Sequence, residues 1–182
     1  LASSAASDVY KRQMAASVKA VKRGASGSPG ELRGDFDLTR DLGLLYANTE
    51  CGIFGVLPEE NRPEAVGEAI PVARRTEVRT GKAVILANCR GNEVCAYEIE
   101  IEKLYGGSAP TRNLLLRVTD PALIALTGGI VQGMSGSPIV QDGKLVGAVT
   151  HVLLDDPQRG YGILAENMLS ASGMTAQSAA SA

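Results

Sequence analysis

Short β-prone runs alternate with turn clusters from Ala15 onward, and this alternation constrains the fold more than any other feature. The clearest run is VCAYEIEIEKL (94–104), in which apolar and acidic residues alternate and Tyr97, Ile99 and Ile101 share one face. A period of two is typical of a half-buried strand. The 21 glycines and 8 prolines favour frequent turns over long helices.

Other runs have the same character. Strands are predicted over SVKAVKRG (17–24), CGIFGVL (51–57, as a buried strand), AIPVARRTEV (69–78), GKAVILANC (81–89) and NLLLRVT (113–119), whereas GASGSPGELRGDFD (24–37) is dense in turn residues. The Asp142–Gly143 pair predicts a two-residue hairpin turn. Evenly spaced short strands with few helices indicate an antiparallel barrel or sandwich, a mostly β fold.

Composition excludes several function classes. A net charge of −2 gives no electrostatic reason to expect a nucleic-acid partner. No apolar run approaches the roughly 18 residues needed to cross a bilayer. One histidine and no CxxC pair argue against zinc, and no metal or other cofactor is expected.

Three cysteines, Cys51, Cys89 and Cys95, do not define a disulfide framework. Cys89 and Cys95 flank a short turn and would meet across a hairpin, but unpaired buried thiols are the favoured interpretation.

The two ends of the chain differ from its body. Residues 1–13 are interpreted as a non-native or unstructured leader and residues 173–182 as a disordered, small and polar tail. Residues 14–172 are then predicted to form the folded domain.

Two nearly identical hexapeptides stand out, GASGSP at Gly24–Pro29 and GMSGSP at Gly133–Pro138. The second matches G-x-S-G-x-P, the serine turn of chymotrypsin-like proteases, and stands directly before the predicted hairpin. A tight turn through its glycines would bring the N–H groups of Gly133 and Ser135 together as donors to an oxyanion. A glycine-rich turn without chemistry is the simpler alternative, and we favour it for Ser26 and Ser28 in the first hexapeptide.

Competing motifs fail on GMSGSP. The nucleophile elbow of α/β-hydrolases needs glycine at the fifth position and a following helix, but Ser137 and a hairpin stand there. A phosphate-binding loop needs Ser or Thr after its Gly-Lys, which neither Gly81–Lys82 nor Gly143–Lys144 provides.

Two further residues each have more than one interpretation. Asp120 precedes Pro121, which predicts the N-cap of a short helix ending at Gly128–Gly129, but a triad acid is the alternative. His151, the one histidine, lies sixteen residues after Ser135. A packed or substrate-pocket histidine is favoured there over a general base.

The stretch TGGIVQGMSGSPIVQDGKLVGAVTHVLLDDPQRGYGI (127–163) closely resembles the stage IV sporulation protein B peptidases, chymotrypsin-like serine proteases of spore-forming bacteria. Upstream, GSPGELRG, NTECGIFGVL, RTGKAVIL and YEIEIEKL follow the family in the same order. The resemblance implies a chymotrypsin-like double β-barrel, with Ser135 as nucleophile and the N–H groups of Gly133 and Ser135 as the oxyanion hole. Asp120 falls where the family has its proposed acidic triad member.

One departure affects the expected activity. The family's histidine base lies upstream of the SVKAVKRG-like strand, where this sequence has no histidine. Truncation with an incomplete first barrel is favoured over loss of the base in a pseudo-enzyme, and the fragment itself is expected to be inactive.

The resemblance further implies a secreted or membrane-associated signalling protease around the forespore. It would cut itself and a regulatory protein during sigma-factor activation. The alternative is a non-catalytic β-barrel module that binds peptides or partner proteins.

Overall fold

The computed structural model describes residues 11–62, 68–106 and 110–173. Their strands form two antiparallel units, a three-stranded sheet and a closed barrel. The strands are β1 (Lys11–Lys22), β2 (Glu31–Thr49), β3 (Gly52–Val56), β4 (Gly81–Arg90), β5 (Glu93–Leu104), β6 (Leu114–Val118), β7 (Pro138–Gln141), β8 (Lys144–Leu153) and β9 (Asp156–Leu164). The α-helices are α1 (Pro121–Thr127) and α2 (Ala165–Ala171), and 3-10 turns lie at Glu59–Asn61 and Arg75–Glu77.

Strands β4 to β9 close into a six-stranded barrel with the order β4-β5-β6-β9-β8-β7, while β1, β2 and β3 form an open sheet. The mostly β class is therefore confirmed. A closed barrel beside an open sheet agrees with the predicted chymotrypsin-like double barrel whose first barrel is incomplete.

The barrel core consists of aliphatic side chains from alternating strand positions. Ile85 on β4 and Ile99 and Ile101 on β5 point inward and are at most 2 % exposed, which confirms the period-two prediction for β5. Leu114, Leu116, Ile139 and Val149 complete the interior from β6, β7 and β8. With no tryptophan in the sequence, branched aliphatic residues fill the barrel.

The open sheet exposes apolar side chains. Ile53 and Val56 on β3 are 54 % and 60 % exposed, so the prediction of a strand at CGIFGVL is confirmed but its predicted burial is wrong. In the described part of the chain no second layer covers this sheet, and an apolar run therefore stays at the surface.

Two other predictions are corrected. The segment LRGDFD belongs to β2 and not to a turn, because its residues pair with β1 through Val18↔Gly34 and Ser17↔Asp35. The segment AIPVARRTEV is not a strand. It makes one parallel bridge, in which Leu145 N donates to Pro71 O, and then turns into the 3-10 helix.

The predicted domain boundaries stay predictions. Residues 1–10 and 174–182 lie outside the described residues, whereas residues 11–13 of the predicted leader pair with residues 43–45 of β2. None of the described helices is long and apolar enough to cross a membrane. Cys51, Cys89 and Cys95 carry free thiols.

Candidate active site

The GMSGSP segment forms a tight turn that leads into β7. Gly133 and Gly136 have φ of +99° and +90°, values that side chains disfavour, so glycine is required at both positions. Within the turn, Ser137 N donates to Met134 O at 3.0 Å, and the buried Met134 side chain anchors it in the barrel core. The backbone of this segment is therefore held in one shape.

The turn is also fastened to β8. Gly136 N donates to Val149 O at 2.8 Å, and Val149 N donates to Ser137 O at 3.0 Å. These bonds continue the β7–β8 pairing, whose register ends at Pro138↔Ala148. Beyond that point no strand in the described part of the chain pairs with β8 on this side, which leaves an open edge beside Ser135.

Ser135 is exposed, and its Oγ donates to the carbonyl oxygen of Thr150 at 3.0 Å. Thr150 sits at a register shift of β8, between Val149↔Gly162 and His151↔Tyr161. Such bulges redirect strand groups and are frequent beside active sites. No sequence signal except a polar residue in the run GAVTHVLL pointed to Thr150.

The two predicted oxyanion donors are available. Among the described residues, no hydrogen bond uses the backbone N–H of Gly133 or that of Ser135. Gly133 and Ser135 are both exposed, so their unused donors lie at the surface beside the Ser135 hydroxyl, where an oxyanion of a substrate could accept from them.

The start of β2 supports the turn from its other side. Leu32 N donates to Gln132 O at 2.8 Å and Gln132 N donates to Gly30 O at 3.0 Å, in a parallel bridge. A Cβ built on Gly133 would lie 3.0 Å from the Cβ of Leu32. Sequence reasoning missed this contact because it joins segments a hundred residues apart.

The first hexapeptide, GASGSP, lies just before this support and forms a reverse turn. Ala25 and Ser28 exchange two backbone hydrogen bonds of 2.9 Å, and Gly27 has φ of +71°. Gly24 N donates to Thr127 O at the end of α1. The segment is therefore a reverse turn that is hydrogen-bonded to the end of α1, which agrees with the turn interpretation of Ser26 and Ser28.

Asp120 caps α1 as the sequence predicted. Its Oδ1 accepts from Ala122 N at 2.8 Å and Leu123 N at 3.0 Å, and its Oδ2 accepts from Glu98 N at 3.2 Å. The helix begins with Pro121 and ends at Gly128, whose φ is +82°. Its second predicted role, the triad acid, stays a prediction.

The same contacts set the acidity of Asp120. Burial, the largest single influence, raises the pKa of Asp120. The N–H donors of Leu123, Glu98 and Ala122 together outweigh burial and hold that pKa below its ordinary value. The carboxylate is therefore charged at neutral pH.

His151 does not contact Ser135 through a hydrogen bond. Its side chain is exposed on β8, opposite Tyr161 on β9, and it has no hydrogen bond in the described part of the chain. The structure thus brings Ser135 close to Thr150 and Gly133 but does not place an imidazole on the serine hydroxyl. A substrate-pocket role for His151 stays a prediction. Among the described residues no cluster of His, Cys, Asp and Glu is suited to hold a metal ion.

Comparison with known proteins gives a family match over most of the chain. The family model described as SpoIVB peptidase S55 matches residues 7–169. A search of curated proteins finds no match.

Solved structures give weaker likenesses. The active form of the Rv3671c protease from M. tuberculosis is 18 % identical over 85 % of this chain and 69 % of that chain, with a TM-score of 0.49. An inactive form of the Rv3671c protease is 20 % identical over 74 % and 69 %, with a TM-score of 0.48.

Proposed function

The chain belongs to the SpoIVB peptidase S55 family, and from that premise we propose that it is the catalytic domain of a serine endopeptidase with Ser135 as nucleophile. The observation that carries the proposal is the exposed Ser135 hydroxyl in a rigid glycine turn, flanked by the unused N–H groups of Gly133 and Ser135. Membership of a peptidase family supports acyl transfer as the reaction. So do the exposed Ser135 hydroxyl as nucleophile and the two backbone N–H groups as oxyanion donors.

In the proposed reaction, Ser135 Oγ leaves the Thr150 carbonyl and attacks the carbonyl carbon of the peptide. Its proton passes to a base and then to the leaving amine, and water later releases the acyl group from Ser135. The N–H groups of Gly133 and Ser135 bind the oxyanion that forms. Loss of one such donor costs about 10²–10³ in rate.

The base is proposed to come from residues outside the printed sequence. A base must lie within about 3 Å of the hydroxyl that it deprotonates, and the one histidine, His151, is exposed and not bonded to Ser135. Asp120 is proposed as the acid that orients the imidazole. Without its histidine, a catalytic unit of this kind loses about 10⁶ in rate, so the printed chain is expected to be inactive.

The substrate is proposed to be an extended peptide that pairs with the open edge of β8. The edge begins at Thr150, beside Ser135, and continues towards Leu153. Strand addition satisfies the backbone of the peptide and holds the scissile bond at the turn.

The finer biological role is likewise a proposal: the family name suggests sporulation, and the rest follows only the sequence resemblance. The protease would act in sporulation signalling around the forespore as a secreted or membrane-associated protein. It would cut itself and a regulatory protein that leads to sigma-factor activation. A Ser135→Ala allele in a spore-forming host should block sporulation late, and normal spore yield would argue against this role.

The enzymatic proposal is tested with a longer chain that carries the native sequence upstream of Met14. It should cleave a fluorescently labelled unfolded protein, the Ser135→Ala variant should not, and His151→Ala should retain cleavage. Undiminished cleavage by Ser135→Ala would refute the proposal. Loss of both cleavage and fluorophosphonate labelling in His151→Ala would instead indicate His151 as the base, whereas loss of cleavage alone would indicate a substrate-pocket role.

A non-catalytic peptide-binding module is the second candidate, and one observation favours it. Ser135 Oγ donates to the Thr150 carbonyl and not to an imidazole. Such a module would bind peptides along β8 but would show no cleavage in the longer chain.

A further inference from the structure

Two stacked cation–aromatic pairs lie side by side on the barrel. Lys103 Nζ is 4.9 Å from the ring centroid of Tyr105, and Arg112 Cζ is 5.3 Å from that of Tyr161. The two rings are 6.2 Å apart and tilted by 56°. We call Lys103, Tyr105, Arg112 and Tyr161 the cation–aromatic patch. Stacking holds both cations in place, which lowers the entropy cost of binding an anion.

The patch is connected to the candidate nucleophile through Thr150. The carbonyl oxygen of Thr150 accepts a hydrogen bond from Ser135 Oγ. The side-chain hydroxyl Oγ1 of Thr150 lies 3.1 Å from Tyr161 O and 3.3 Å from Thr111 O. Thr111 precedes Arg112. One residue therefore joins the serine turn to both segments that carry the Arg112–Tyr161 pair.

Within the described residues, no ion pair neutralises the charges of the patch. Neighbouring arginines on the barrel are paired, Arg117 with Glu100 and Arg159 with Glu102. Lys103 and Arg112, in contrast, make no ion pair within the described part of the chain. The segment 107–109 between them is Gly-Ser-Ala and adds no acid. An unpaired, preoriented pair of cations attracts a carboxylate from outside the barrel.

A peptide on the open edge of β8 comes within reach of the Arg112–Tyr161 end of the patch, whereas Lys103 lies on β5, two strands beyond β9. Tyr161 pairs with His151, so their side chains lie on the same face of the sheet. A peptide strand beside β8 is two strand spacings, roughly 10 Å, from β9. An arginine and a glutamate side chain together span this gap. In antiparallel pairing, the peptide residues opposite 151–153 lie on the N-terminal side of the scissile bond.

We propose that the cation–aromatic patch is a specificity subsite that selects peptides with Asp or Glu a few residues N-terminal to the scissile bond. The proposal rests on the proposed peptidase function, because a specificity subsite presupposes that the bound peptide is cleaved. The peptide-binding preference, however, is measurable without catalysis, so a failure of the subsite and a failure of the peptidase function can be told apart.

The test measures fluorescence anisotropy on the Ser135→Ala form of the printed chain. The probes are fluorescein-labelled Ala/Ser octapeptides that differ only in two adjacent residues, Glu-Glu, Gln-Gln or Lys-Lys. The Glu peptide should bind about fivefold more tightly than the Gln peptide, since exposed ion pairs are worth up to this much. Added NaCl should remove the difference.

Variants locate the effect. Arg112→Gln should weaken the Glu preference, Lys103→Gln should weaken it less because Lys103 lies two strands farther from the peptide, and Arg112→Glu should shift the preference towards the Lys peptide. Arg90→Gln is the matched control, because Arg90 is exposed at the opposite end of the β4–β5 hairpin. Equal binding of the Glu and Gln peptides, no measurable binding of either, or an equal effect of Arg90→Gln would overturn the proposal.

Discussion

Replacing Gly133 by alanine separates the chemistry of the serine turn from its stability. Gly133 has φ of +99°, and a Cβ there would lie 3.0 Å from the Leu32 Cβ. Backbone strain of this kind costs of order 1–3 kcal/mol, and Leu32 must move by a few tenths of an ångström. Gly133→Ala should therefore lower the free energy of unfolding by about 2 kcal/mol.

The chemical effect should be larger than the loss of stability explains. Relief of the strain rotates the peptide that carries the Gly133 N–H away from the oxyanion position. Loss of one donor corresponds to about 10²–10³ in rate. Urea unfolding of the printed chain measures the stability, and the rate of fluorophosphonate labelling of the longer chain measures the chemistry.

Gly143→Ala is the control for this experiment. Gly143 has φ of +75° in the β7–β8 turn and nothing within 4 Å of its virtual Cβ. Its replacement should cost about 1–2 kcal/mol of stability and leave the labelling rate unchanged. If Gly133→Ala labels as fast as Gly143→Ala, the assignment of the Gly133 N–H to the oxyanion hole is wrong.

The remaining predictions concern three groups, Asp120, Tyr97 and Cys89. Asp120→Ala should cost about 1 kcal/mol through loss of the N-cap, whereas Asp120→Asn keeps the cap. Slower labelling of the Asn variant would therefore identify a triad acid, and unchanged labelling would identify a cap only. Because the pKa of Asp120 is lowered, the stability difference from Asp120→Ala should persist above pH 4 and shrink as the pH falls through that pKa. Burial, with the thiols of Cys89 and Cys95, raises the pKa of Tyr97 to about 12, so stability should fall as the pH rises from about 10 to about 12; a tyrosinate absorbance titration with all tyrosines ionising together near pH 10 would contradict this. Burial also raises the pKa of the Cys89 thiol, so iodoacetamide should modify Cys89 only after unfolding in urea, and rapid modification of the native chain, seen by mass spectrometry, would be the opposite result.

Elements with local signals could be predicted from the sequence. Asp120, Pro121 and Gly128 define both ends of α1 within nine residues. The Asp142–Gly143 turn, with φ of +51° and +75°, fixes the β7–β8 hairpin, and strict alternation fixes β5. In each case the information lies within one turn or one strand.

Features that depend on distant pairing could not be predicted. Turn residues in LRGDFD join β2 because β1 supplies their partners, and the CGIFGVL strand is exposed because its sheet is open. The Leu32–Gln132 pairing and the register shift at Thr150 arise only from the assembled sheets. Sequence reasoning found the residues of the serine turn but not the residues that support it.

The central claim is that Ser135, and neither Ser26 nor Ser28, is a reactive nucleophile. The most direct measurement is tandem mass spectrometry of the longer chain, with its native upstream sequence, after reaction with a fluorophosphonate. We expect one adduct on the peptide that contains Ser135 and none in the Ser135→Ala variant. An adduct on Ser26 or Ser28, or no adduct at all in the longer chain, would contradict the account.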